Sequence, residues 1–85
     1  MEEEIGRVTH FFPKINVGVI ELTRDSLKVG ETIHIKGHTT DFIQKIESLQ
    51  VEHIPVEAIK KGESAGFKAE SPVREHDLVF RVMDE

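Results

Sequence analysis

Apolar residues along this chain recur mostly at every second position, in short runs separated by turn-forming residues. No stretch of about eleven residues keeps apolar side chains at helical spacing without a Gly, a Pro or a charge intervening. The pattern predicts strands. The first runs from Ile5 to Phe12 and stops at Pro13, which cannot donate to a central ladder. The second, Ile15 to Thr23, carries apolar residues on both faces, so it is covered on both sides or changes face near Val19-Ile20. Arg24-Asp25-Ser26 is a turn, and Gly30 in Leu27-Lys28-Val29-Gly30-Glu31 suits a left-handed backbone position. Thr32 to Lys36 alternates cleanly, with Ile33 and Ile35 in and His34 and Lys36 out. Phe42 to Ile54 reads as the longest strand, with a bulge expected near Glu47-Ser48 because Ile46 fits one register and Leu49 and Val51 the other. Pro55 to Gly62 fits one helical turn at most. Ser64 to Ala69 and Leu78 to Val82 complete six strands.

Six short strands with no helix of consequence predict an all-β fold, a closed antiparallel six-stranded barrel, which leaves no free sheet edge. Its expected core is Val8, Val17, Val19, Ile33, Ile35, Leu49, Val51, Phe67, Leu78 and Phe80. Of the neighbouring rings Phe11 and Phe12, one is expected in the core and one outside. Eighty-five residues make a single domain, 1–85, with the acidic ends 1–4 and 84–85 expected to fray.

Composition narrows the chemistry. The chain has no cysteine, which excludes disulfides, thiolate metal sites and thiol nucleophiles. No window approaches the roughly 18–20 apolar residues of a membrane helix, and the Met-Glu-Glu-Glu start is unlike a basic leader, so a cytoplasmic location is expected. A net charge of −5 argues against non-specific nucleic-acid binding. The chain lacks a glycine-rich phosphate loop, so no nucleotide is expected to bind it alone. Ser48 or Ser64 with a histidine and Asp41 or Asp77 assembles a triad only on paper, since no nucleophile-elbow sequence surrounds either serine. The five histidines read as surface groups rather than metal ligands, and their protonation would bring the net charge to zero. No cofactor, no metal and no enzymatic activity are expected. Binding residues collect on loops held by rigid scaffolds. The two polar loops and their flanking cations therefore supply the candidate site: Lys36, His38, Thr39, Thr40, Lys45, Arg74 and His76, with Lys36 and Lys45 expected side by side.

The order of turn signals carries a family likeness. Gly6-Arg7-Val8, Leu27-Lys28-Val29-Gly30-Glu31-Thr32-Ile33, Gly37, Ile46-Glu47-Ser48-Leu49, then Ala58 and Lys61-Gly62-Glu63-Ser64-Ala65-Gly66-Phe67 resemble domain 2 of the translational GTPases, the second β-barrel of elongation factor Tu. Glu31 stands for the family's Asp and Phe67 for its Ile. The run Gly37 to Phe42 resembles the stand-alone elongation-factor-like subgroup, and a similar small barrel ends some collagenase-like peptidases. The resemblance implies a non-catalytic binding module whose partner is RNA, the ribosome or another protein. The alternative it leaves open is a scaffolding barrel docked to an RNA-modifying or peptidase-like enzyme. It also implies that Gly30 and Gly62 have positive φ or sit where a Cβ would collide, and a small residue at Ala58 beneath a connecting turn.

Overall fold

The structure, a computed structural model, describes residues 1–83. It is all-β, with ten strands and, among the described residues, no helix. These are β1 (Glu2–Phe12), β2 (Val17–Leu22), β3 (Leu27–Lys28), β4 (Thr32–Lys36) and β5 (Asp41–Lys45). The second half holds β6 (Leu49–Val51), β7 (Ile54–Val56), β8 (Ala58–Ile59), β9 (Ser64–Lys68) and β10 (Leu78–Val82). Eight of them form one antiparallel sheet in the order β5-β4-β10-β1-β2-β9-β6-β7, and β3 pairs with β8 separately.

The closed barrel predicted from the sequence is corrected here. The sheet curls round one core, but no ladder joins β5 to β7 or β9. Across that seam the link is a side chain. The buried Gln44 amide donates to Lys68 O at 2.9 Å and accepts from Glu70 N at 2.8 Å.

β1 is long because it serves two neighbours. It pairs with β10 through Glu2–Arg7 and with β2 through Gly6–Phe12. A register shift falls between Glu4 and Gly6 on one side and between Val8 and His10 on the other. Each inserts one extra residue, bends the strand and lets it wrap the core. Glu2–Glu4, expected to fray, are therefore ladder residues opposite Phe80–Val82. Residues 84 and 85, also expected to fray, lie outside the described residues.

The predicted long strand Phe42–Ile54 falls on β5, β6 and the first residue of β7, and no bulge forms at Glu47-Ser48. The chain leaves the sheet there instead, with Ile46 and Leu49 buried on either side. It then turns back at Glu52-His53, where both residues have positive φ, 52° and 65°. That two-residue turn matches the twist of a hairpin but is usually held by Asn-Gly. With neither residue present, the sequence carries no hairpin signal. The helical turn expected at Pro55–Gly62 is likewise replaced by β7 and β8. Ala58 is exposed rather than tucked beneath a turn. Gly30 and Gly62 do have positive φ, 99° and 90°, as the resemblance implied.

The core contains Ile5, Val8, Ile20, Leu22, Ile33, Ile35, Leu49, Phe67 and Val79, with Leu27 and Ile59 of the β3–β8 ribbon covering one end. Of the expected core, Val8, Ile33, Ile35, Leu49 and Phe67 are buried. Val17, Val19, Val51 and Phe80 are only half-buried. In β2 the inward positions are Gly18, Ile20 and Leu22, and in β10 the face is reversed, with Val79 at 0% exposure and Leu78 at 40%. Two faces of similar hydrophobicity leave the choice to the pairing register. Phe11 packs against the core and Phe12 is exposed, the one-in, one-out arrangement that alternation required.

Two outcomes follow for stability. Val79→Ala should cost on the order of 2–3 kcal/mol in urea unfolding, and Leu78→Ala no more than about 1, because only the first removes fully buried methyls. Glu52→Asn with His53→Gly should raise stability on the order of 1 kcal/mol by relieving two left-handed residues. A larger loss at Leu78 than at Val79 would show that β10 packs with the opposite face.

Candidate functional site

The two polar loops meet. Thr39, Thr40 and Arg74, three of the residues singled out from the sequence, line one cleft of about 360 Å³ with Asp41, Phe42, Ser71 and Pro72. One wall is the turn and first residues of the β4–β5 hairpin. The other is the connection from β9 to β10.

Each wall is fixed by its own backbone. Gly37 N donates to Thr40 O at 2.7 Å, which closes the hairpin and leaves His38 and Thr39 at its exposed tip. The second wall is a turn in which Asp77 N donates to Arg74 O at 3.1 Å and His76 has φ 76°. That turn is stitched to β1, because His76 N donates to Val8 O and Val8 N to Asp77 O, each at 2.8 Å. The buried Asp77 carboxylate accepts from Arg74 N at 2.8 Å. It also abuts Gly37, where an added Cβ would fall 1.8 Å from Asp77 Oδ1. Gly37 is thus the contact that sets the two walls side by side.

The remaining candidate residues are not gathered into this cleft. His38 and His76 are exposed and lie outside its lining. Lys36 faces Asp41 at one end of the β4–β5 ladder, and Lys45 faces Thr32 at the other. Four residues of strand separate them, about 13 Å. The side-by-side lysine pair is corrected accordingly. No carboxylate lies within 4.0 Å of the Arg74 guanidinium among the described residues.

Two ionic clusters hold the sheet beside the cleft. His34, expected outward and solvated, is half-buried against Phe80 and clamped by two acids. Its Nε2 lies 2.5 Å from Asp41 Oδ1 and its Nδ1 2.7 Å from Glu2 Oε2. Two carboxylates on one ring are satisfied only by the imidazolium, which donates from both nitrogens. The bond to Asp41, reinforced by Glu2 against the opposing effect of burial, raises the His34 pKa above its usual 6.5. The same bond lowers that of Asp41. Arg81 likewise reaches Glu3 at 2.7 Å, Ser26 O at 2.8 Å, the nearby Asp25 carboxylate and Glu31 at 3.7 Å. Burial works against its charge, and Glu3 and Asp25 more than reverse that.

Sequence reading missed His34 and Gln44. Gln44 had a signal: it holds the inward parity of Phe42 and Ile46, and a polar residue there needs a buried partner. His34 had none, since its carboxylates come from residues 2 and 41. The paper triad is not assembled. Among the described residues neither serine hydroxyl is hydrogen-bonded to a histidine, and both His34 nitrogens are taken by carboxylates. Among the described residues, no group of three or more His, Asp or Glu side chains converges as a metal would need. No helix among them is long and apolar enough to cross a membrane.

No family model matches the chain. It is 47% identical over 82 residues to an uncharacterized protease of Methanocaldococcus jannaschii, covering 95% of this chain and 20% of that protein. A collagenase of Porphyromonas gingivalis is 31% identical over 78 residues, covering 91% of this chain and 22% of the collagenase. This chain is similar to one segment of collagenase-like proteins. It spans about a fifth of the length of the curated relatives it matches. Its fold is that of the C-terminal domain of a Geobacillus thermoleovorans protein described as a U32 peptidase. The TM-score is 0.87 at 18% identity, over 95% of this chain and 93% of that domain. The selenomethionine variant of that domain gives a TM-score of 0.83 at 19% identity. These relatives support the collagenase-like side of the sequence resemblance rather than the translation-factor side.

The His34 clamp has a defined pH signature. A raised folded pKa contributes stability that is full below about 6.5 and lost as pH rises through the folded value. The lowered Asp41 pKa contributes stability that is full above about 3.8 and lost as pH falls through its folded value. The advantage of the wild type over His34→Gln should therefore be greatest between about pH 4 and 6.5 and shrink toward pH 9. The His34 ring, followed by NMR, should titrate above 6.5 and move back toward it in Asp41→Asn. A wild-type midpoint below 6.5 would mean the ring is neutral and the clamp absent.

Proposed function

We propose that this chain is a non-catalytic docking module that works with a collagenase-like, peptidase-type enzyme, whether joined to it or separate. The observation that carries this reading is the match to the Methanocaldococcus protease, 47% identity along 95% of this chain and only 20% of the protease. Similarity at that level, running the length of the fold, favours a module used alongside a larger partner. The cleft offers hydroxyls, a guanidinium, an aromatic ring and the Asp41 carboxylate, whose partner His34 is also held by Glu2, and among the described residues no cleft hydroxyl is hydrogen-bonded to either. Such a lining suits binding rather than bond cleavage.

RNA is the competing ligand, suggested by the translation-factor resemblance and by the exposed Lys36 and Arg74. The net charge of −5 weighs against it. The test uses the Methanocaldococcus protease with its matching segment deleted. Mixed with this chain, the truncated protease should form a one-to-one complex in sedimentation and calorimetry, little changed between about 50 and 200 mM salt. Absence of that complex, together with transfer-RNA binding that collapses over the same salt range, would overturn docking in favour of RNA.

A further inference from the structure

β5 is the edge strand beside the cleft, pairing with β4 alone. Its direction of hydrogen bonding follows from the ends of the ladder. Gly37 N donates to Thr40 O at one end, and Ile46 N donates to Glu31 O at the other. Antiparallel pairs alternate between bonded and non-bonded, so Phe42 with Ile35 and Gln44 with Ile33 are the bonded pairs between those ends. The backbone N–H and C=O of Asp41 and Ile43 therefore point away from β4. No backbone partner for either residue occurs on that side among the described residues. Asp41 is exposed and Ile43 is 56% exposed.

This free edge does not run the whole strand. At Gln44 the side-chain bridge to Lys68 and Glu70 draws the opposite wall close. Between the loop end and that bridge, the wall formed by Ser71, Pro72 and Arg74 stands back, and the cleft fills the gap. The opening thus offers the outward backbone pair of Asp41 and an apolar patch of Phe42 and Pro72 between hydroxyls, with the outward pair of Ile43 next along the free edge, just outside the cleft lining. Within the opening the Asp41 carboxylate is held by His34, which Glu2 shares, while the Arg74 guanidinium has no carboxylate within 4.0 Å among the described residues and is the cation left to meet an incoming acid.

We infer that this opening receives a short extended acidic segment of the partner enzyme, added as a strand on the free edge of β5. Its backbone pairs with Asp41 and Ile43, an apolar side chain lies over Phe42 and Pro72, and a carboxylate reaches Arg74. Main-chain pairing supplies affinity in such additions, and the pockets for alternate side chains supply specificity. A guanidinium facing a carboxylate adds a charge-assisted, two-pronged contact. The inference deepens the docking reading by naming the surface and the partner's chemistry.

The probes are overlapping 15-residue peptides spanning the rest of the Methanocaldococcus protease, with the truncated protease itself in a second arm. Ile43→Pro removes one outward N–H and no bond to β4, so an edge strand tolerates it. Arg74→Gln removes the charge. Among the peptides, an acidic one should bind, move the amide signals of residues 41–43 and 71–74, and bind each variant at least tenfold more weakly. N-methylating alternate amides of that peptide should abolish binding in one register and spare it in the other, a readout independent of how Ile43→Pro folds. The inference is overturned if no peptide binds, or if binding ignores both the variants and the N-methyl register. A dimer of this chain that Ile43→Pro dissolves would also overturn it, by assigning the edge to a second copy. If the truncated protease binds but ignores Ile43→Pro, docking stands and this surface is wrong. If peptides bind at β5 while the truncated protease does not, the edge stands and that enzyme is not the partner.

Discussion

One buried amide decides where this sheet stays open. Gln44 sits at an inward position of β5 and spends both ends of its side chain on the backbone beyond β9. A ladder across the seam would bring the two backbones to strand spacing, about 4.8 Å apart. The reach of a glutamine bridges them instead, and the bridge satisfies both ends of the buried Gln44 amide. The seam is narrow at Gln44 and widens toward the hairpin turn, and the cleft is that widening. An apolar residue at position 44 would leave its partners on the opposite wall unpaired.

Charge also ties together the strands bordering the cleft. Glu2 and Glu3 begin β1 at the surface, and their carboxylates reach His34 and Arg81 on β4 and β10. Exposed ion pairs contribute little singly. Here each cation is largely covered, with side chains 13% and 14% exposed, and each is shared among several acids. Sharing lowers the entropy lost per contact, since one ordered side chain serves several partners. The acidic N-terminus is thereby part of the sheet's construction, and the ring that Glu2 holds also bonds Asp41 at the mouth of the cleft. The stability of the edge and the electrostatics of the site rest on the same imidazolium.

The wall opposite β5 is built differently, from backbone. Arg74 to Asp77 form a turn that lies across β1 through two main-chain bonds, and the Asp77 carboxylate rests against Gly37. A Cβ at position 37 would collide with that carboxylate unless Asp77 gave up its place. The cleft therefore has the unpaired edge of β5 on one side and the turn stitched to β1 on the other. Similarity to one segment of much longer proteases is consistent with a docking role.

Alternation alone determined a good deal. Thr32–Lys36 and Leu78–Val82 were legible with their boundaries, and the all-β class followed from the absence of helical spacing, while the left-handed Gly30 was marked by residue type and Gly62 by the family likeness. The two polar loops were readable as exposed scaffold loops, and three of their residues do share a cleft. The rest needed three dimensions. Leu78 and Val79 are alike in hydrophobicity, so only pairing with β1 and β4 settled which one faces inward. The β6–β7 hairpin turns on Glu52 and His53, whose left-handed geometry no local propensity announces. Lys36 and Lys45 appeared adjacent until the register placed them at opposite ends of one ladder. Closure failed for a related reason. Whether a curled sheet joins its edges depends on contacts between residues more than twenty positions apart, such as Gln44 with Lys68 and Glu70. Periodicity reports which face of a strand is buried, and it carries no information about the distance to the strand across the core.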